Sequence, residues 1–103
     1  QLDGAAPSIT ALPAVAEALA GRAAVYLDSG IASGTDILRA LASGADGVLV
    51  GRPVLYGLAA DGTRGVGRVL SLLAEEFRDA MTLAGCADVA AVRELSTVRT
   101  VRA

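Results

Sequence analysis

The chain has 103 residues, enough for one small domain, yet 53% are hydrophobic and the mean hydropathy is +0.54, high for that size. Net charge is −2, and the nine basic residues are all arginine, so there is no basic field to draw nucleic acid or an anionic membrane. The single Cys86 cannot form an internal disulfide, and with no histidine and no C-x-x-C pair nothing suggests a metal site.

Taken in chain order, Gln1 to Pro7 reads as a loop rich in glycine, alanine and proline. Ser8 or Thr10 is placed to cap a helix through LPAVAEALAG, with Leu12, Val15, Ala16 and Leu19 on one face and Gly21 ending it. A strand follows from about Ala24 to Leu27, then the loop DSGIASG. A helix from about Thr35 to Ala42 turns Ile37, Leu38 and Leu41 inward and stops at Ser43-Gly44. A second strand runs from Gly47 to Val50 and leads through Gly51-Arg52-Pro53 into a short helical turn, VLYGLA, and the loop ADGT. A long helix then spans about Arg64 to Leu83, with Val66, Val69, Leu70, Leu73, Phe77, Ala80 and Met81 on one stripe. Gly85 stops it, Cys86 reads as a small packing residue near the helix end, and ADVAAVREL is a short final helix before the tail STVRTVRA.

Both strands are almost continuously apolar, the pattern of strands buried on both faces in a parallel sheet covered by helices. The connection from Leu27 to Val48 is long enough for a right-handed βαβ crossover, so the strands are expected to be parallel neighbours with both glycine loops at one end. Two strands do not make a stable parallel sheet. Missing strands and so apolar a composition in so short a chain indicate part of a larger core, the alternative being a compact alanine-rich domain. No apolar run reaches a membrane span, and QLDGAAPS has no leader-like pattern of a basic stretch followed by an apolar one, so a cytoplasmic location is the expectation.

The chemistry lies between strands and helices. Ser29, Gly30, Ser33 and Gly34 follow the first strand, where small residues let backbone amides approach an anion at a helix N-terminus. Gly51-Arg52 repeats the arrangement after the second strand and adds a guanidinium, which forks onto phosphate. In a (β/α)8 barrel the loops after strands seven and eight commonly build such a phosphate site. The competing reading is that the glycines only make tight turns and Arg52 pairs with Asp28.

QLDGAAPS followed by LDSGIASGTDILRALASGADGVLVGRPVLYGLA closely resembles the C-terminal quarter of the FMN-dependent α-hydroxy acid oxidases and dehydrogenases, the family of glycolate oxidase, lactate oxidase, flavocytochrome b2 and mandelate dehydrogenase. The resemblance extends to about Gly85. It implies an α/β fold, the C-terminal portion of a TIM (β/α)8 barrel, comprising about the last two βα units and the preceding helix. It also implies an FMN phosphate held by Asp28, Ser29, Gly30, Ile31, Ala32, Gly51 and Arg52. The family pattern in the first loop is Asp-Gly-Gly, an apolar residue, then usually arginine. Here Ser29 and Ala32 depart from it, removing one phosphate-neutralising charge.

In that family QLDG directly follows a His-Gly-Gly-Arg segment that carries the catalytic base and the substrate-carboxylate arginine, so no catalytic residue is expected within residues 1–103. The implied reaction oxidises an (S)-2-hydroxy acid to the 2-oxo acid on FMN, with the rest of the barrel as covalent partner and a homo-oligomer, commonly a tetramer, as the assembly. Nothing in these residues chooses among dioxygen, quinone and cytochrome as electron acceptor. The alternatives are a non-catalytic phosphate-binding half-barrel acting with a partner chain, or another phosphate-site barrel such as an isomerase. Asp3 reads as a loop aspartate, Asp36 as a first-turn carboxylate favoured by the helix dipole, Tyr56 as a packing residue, and Glu75, Glu76, Arg78 and Asp79 as a solvated helix face.

Overall fold

The computed structural model describes residues 5–95. Its elements run α1 (Ser8–Leu19), β1 (Tyr26–Leu27), α2 (Gly34–Ala42), β2 (Gly47–Val48), α3 (Arg52–Leu83) and α4 (Val89–Arg93). Asp3 and the tail lie outside the described residues.

The two strands pair in parallel, with Tyr26 opposite Gly47 and Leu27 opposite Val48. They are shorter than the apolar runs suggest, but the ladder continues past them: the Asp46 amide donates to the Val25 carbonyl at 2.7 Å and the Leu49 amide to the Leu27 carbonyl at 2.8 Å. Each strand has one partner among the described residues, so the outer edges carry no ladder that would lengthen them.

Helix α1 starts differently from the expectation that Ser8 or Thr10 caps it. Pro7 is the N-cap and makes no side-chain capping bond. The Ser8 hydroxyl instead donates to the Asp28 carbonyl at 2.7 Å, tying the start of α1 to the loop after β1. Its far end turns through Ala20, in the left-handed region at φ 49, and Gly21, while the Arg22 guanidinium donates to the carbonyls of Ala18 and Leu19 that the helix leaves open.

Helix α2 is the crossover between the strands and packs against α3 and α4. Ser33 caps it, its Oγ accepting from the Asp36 amide at 3.1 Å. It closes in a Schellman turn: the Ala45 amide reaches the Ala40 carbonyl, the Gly44 amide reaches Leu41, and Gly44 supplies the positive φ of 117. The end of α3 repeats the device, with Cys86 bonded to the Met81 carbonyl, Gly85 to Thr82, and Gly85 at φ 76.

Helix α3 is broken at Asp61 (φ −155, ψ 33) and Gly62 (φ 55, ψ −140). This is where the ADGT loop falls, so a short helix Arg52–Ala60 and a long one are joined by a turn that only glycine makes without strain. The two halves touch at Gly57 and Gly65, where a Cβ on Gly57 would stand 2.6 Å from the Gly65 carbonyl oxygen.

The core joins Leu12, Leu27, Ile31, Ala40, Leu41, Ala45, Cys86 and Val92, with Phe77, Met81 and Val48 partly buried against it. Cys86 is a small buried packing residue, as its position suggested. Val92 of the five-residue α4 is fully buried, which is how so short a helix is held. Two stripe assignments change: Val15 of α1 and Leu70 of α3 are exposed. Tyr26, Leu49, Leu55 and Leu58 are also more than half exposed, an apolar surface far from what a self-sufficient core leaves to water.

Candidate phosphate-binding site

Because the strands are parallel, the loops that follow them emerge at the same end and face one cleft of about 810 Å³. Asp28, Ser29, Gly30, Ile31 and Ala32 line one wall, and Gly51 and Arg52 line the other, so the structure brings together all seven residues singled out from the sequence. Leu49, Val50, Pro53 and Tyr56 complete the lining. Tyr56 is 69% exposed there and does not pack into the core.

Local backbone geometry decides which groups face the cleft. Ser29 and Gly30 both have positive φ, 72 and 77, a conformation that glycine adopts freely and serine does not. Ile31 sends its side chain into the core, which anchors the loop and leaves its backbone at the cleft. Among the described residues, the amides of Ser29, Gly30 and Ile31 donate to no protein acceptor. The Ala32 amide is engaged, donating to Asp36 Oδ2 at 3.0 Å.

The two helix N-termini near the cleft differ in the same way. That of α2 is partly satisfied: Ser33 Oγ takes the Asp36 amide, and Glu76 Oε1, from α3, takes the Gly34 amide at 2.9 Å. That of α3 is open. Gly51 is its N-cap with no side-chain cap, Pro53 removes one donor, and the Gly51 and Arg52 amides have no acceptor among the described residues.

Arg52 sits on that positive helix end, where a guanidinium is disfavoured by about 0.3–1 kcal/mol. Among the described residues it makes no ion pair, so the alternative in which it pairs with Asp28 is not what the structure contains. Five free amides and one unpaired guanidinium around a cleft concentrate positive potential where an anion would offset the cost. Among the described residues, Asp28 is the only acidic one lining it. A carboxylate only accepts, so it suits the hydroxyl-bearing part of a ligand and not its phosphate.

Glu76 is the residue that the sequence reading missed. The solvated helix face read from the sequence is there, with Glu75, Glu76, Arg78 and Asp79 all exposed, but one Glu76 oxygen also accepts from α2, 42 residues earlier in the chain. Elsewhere, among the described residues, no group of three or more His, Cys, Asp or Glu is placed to hold a metal, and no helix is long and apolar enough to cross a membrane.

The structure is thus a helix-rich α/β unit in which two parallel strands send their following loops to one cleft. The chain belongs to the FMN-dependent dehydrogenase family, whose sequence profile matches residues 1–99. It is 56% identical over 97 residues to 4-hydroxymandelate oxidase of Amycolatopsis orientalis, covering 94% of this chain and 27% of that protein. Against human 2-hydroxyacid oxidase 1 the identity is 53% over 89 residues, 86% of this chain and 24% of that one. L-lactate oxidase of Nostoc sp. is 55% identical over 89 residues, again 86% of this chain and 24% of the relative. The structure superposes on mandelate oxidase with benzoyl-formic acid at a TM-score of 0.93 and 54% identity, over 99% of this chain and 30% of that one. A mandelate oxidase variant with a C4a-OH-FMN adduct gives the same score and identity, with 99% and 31% covered. The chain thus spans about a quarter to three tenths of the length of these relatives.

Proposed function

We propose that this chain forms the last two βα units of a (β/α)8 barrel and supplies the FMN phosphate site of an enzyme that oxidises an (S)-2-hydroxy acid to the 2-oxo acid. The observation that carries the reading is the cleft itself: Ser29, Gly30, Ile31, Gly51 and Arg52 line one space, and their amides and the Arg52 guanidinium have no partner among the described residues. The exposed Tyr26 on β1 supports it as well, because a further barrel strand would cover it.

FMN, when bound, supplies the two-electron redox chemistry. The residues of this chain bind and orient it. The amides of Ser29 to Ile31 and of Gly51 hold the phosphate oxygens, Arg52 supplies the main positive charge, and Asp28 accepts from the hydroxylated chain of the cofactor. Sequence departures from the family pattern matter here. Ala32 brings no charge and its amide is held by Asp36, so the phosphate relies on Arg52 and the remaining amides. The histidine base that the family resemblance implies belongs to another part of the barrel, as this chain contains no histidine. The relatives' names include mandelate, lactate and 2-hydroxyacid oxidases, which share the 2-hydroxy acid and differ in what it carries.

The test is Arg52→Ala in the complete enzyme, with apo-protein titrated by FMN and flavin fluorescence followed. A charge-assisted hydrogen bond contributes roughly 1.5–3 kcal/mol, so FMN binding should weaken about tenfold to a hundredfold. Wild-type affinity in the variant would mean that the Gly51-Arg52 pair is only a turn, and the assignment would fall.

A further inference from the structure

We propose that Glu76 is a positioning residue for the phosphate cleft, acting through the Gly34 amide to hold the loop after β1 in its anion-binding shape. The inference rests on the FMN-phosphate reading above. Two independent features of the structure meet at this point. The Glu76 carboxylate accepts from the Gly34 amide at 2.9 Å in a partly buried contact. Gly34 itself lies directly on the α3 backbone, where a Cβ would stand 2.5 Å from the Glu76 carbonyl oxygen.

The consequence runs through the loop. Gly34 is the first residue of α2, and the segment from Asp28 to Ser33 hangs between that point and the end of β1. Asp36 holds the Ala32 amide, Ser33 caps the helix, and Glu76 fixes Gly34, so the helix side of the loop is held at three points. Among the residues that line the cleft in this loop, the amides of Ser29, Gly30 and Ile31 have no acceptor among the described residues. Glu76 thus fixes the point from which the loop hangs, without touching the phosphate.

The experiment compares FMN with riboflavin, which lacks the phosphate, in the complete enzyme carrying Glu76→Ala, Glu76→Asp or Glu76→Gln. Glu76→Ala should weaken FMN about tenfold while leaving riboflavin affinity at its wild-type value. Glu76→Asp, which keeps the charge but withdraws it by one methylene, should show the same selective loss. Glu76→Gln, whose Oε1 still accepts, should restore most of the FMN affinity. A Glu76→Ala or Glu76→Asp protein with wild-type FMN affinity, or one that loses FMN and riboflavin equally, would overturn the positioning role and leave the phosphate site standing. A wild-type enzyme that binds riboflavin as tightly as FMN would overturn the phosphate reading, and this inference with it.

Discussion

Replacing Gly34 by alanine tests the contact on which the cleft's geometry depends. The added Cβ would stand 2.5 Å from the Glu76 carbonyl oxygen and nearer still to the Glu76 carbonyl carbon and the Phe77 nitrogen, where ordinary contact is 3.4–4 Å. All three are backbone atoms, so no side chain can swing aside, and α2 must move off α3 by about 1 Å, an overpacking that costs roughly 1–3 kcal/mol. The same displacement stretches the 2.9 Å bond from the Gly34 amide to Glu76, a hydrogen bond to a charged group contributing about 1.5–3 kcal/mol. Alanine's better helix propensity offsets at most about 1 kcal/mol. The net expectation is a loss of about 2–4 kcal/mol, read by urea unfolding of the complete enzyme at a fixed FMN concentration. A variant as stable as wild type, or more stable by the propensity gain alone, would show that the start of α2 does not rest on the α3 backbone.

Two further outcomes follow from the same geometry. Ser29 holds a left-handed φ of 72 that costs a non-glycine residue about 1–2 kcal/mol, against roughly 0.5–1 kcal/mol of extra chain entropy for glycine, so Ser29→Gly should stabilise the fold by about 0.5–1 kcal/mol in the same unfolding assay. Destabilisation by the substitution would contradict this, and would mean that the Ser29 hydroxyl makes a contact the strain does not reveal. Asp46 accepts from the Val25 amide at 2.8 Å and from Arg93 at 2.7 Å, and these bonds hold its carboxyl below the ordinary value of 3.8. Since the folded value is depressed, its contribution is fully present above the unfolded value and is lost as pH falls through the folded one. Thermal melts should therefore show wild type more stable than Asp46→Asn above pH 3.8, with the gap closing on further acidification. A gap that widens in acid would contradict the assignment.

The sequence made the cleft legible because its parts are local. Two apolar runs separated by a helix-length crossover specify parallel neighbours, and small residues after each run mark backbone that must approach a ligand. The break in α3 was legible for a similar reason, since Asp61-Gly62 is turn chemistry set between two helical stripes. What escaped reading depends on partners distant in the chain. Ser8 looked like a cap because serine commonly is one, but its hydroxyl finds the Asp28 carbonyl, 20 residues away. Glu76 is exposed, as its helix-surface pattern suggests, but that pattern does not reveal that one of its oxygens reaches the Gly34 amide. The strand lengths were overread for a third reason: the runs have the composition of strands paired on both sides, and here each has a single partner among the described residues.

The most direct measurement of the central claim is a crystal structure of the complete enzyme with FMN bound. The account predicts phosphate oxygens about 2.7–3.2 Å from the amide nitrogens of Ser29, Gly30, Ile31 and Gly51, with the Arg52 guanidinium bonded to the same phosphate. A phosphate seated outside the cleft between these two loops, or an Arg52 turned away from it, would contradict the account.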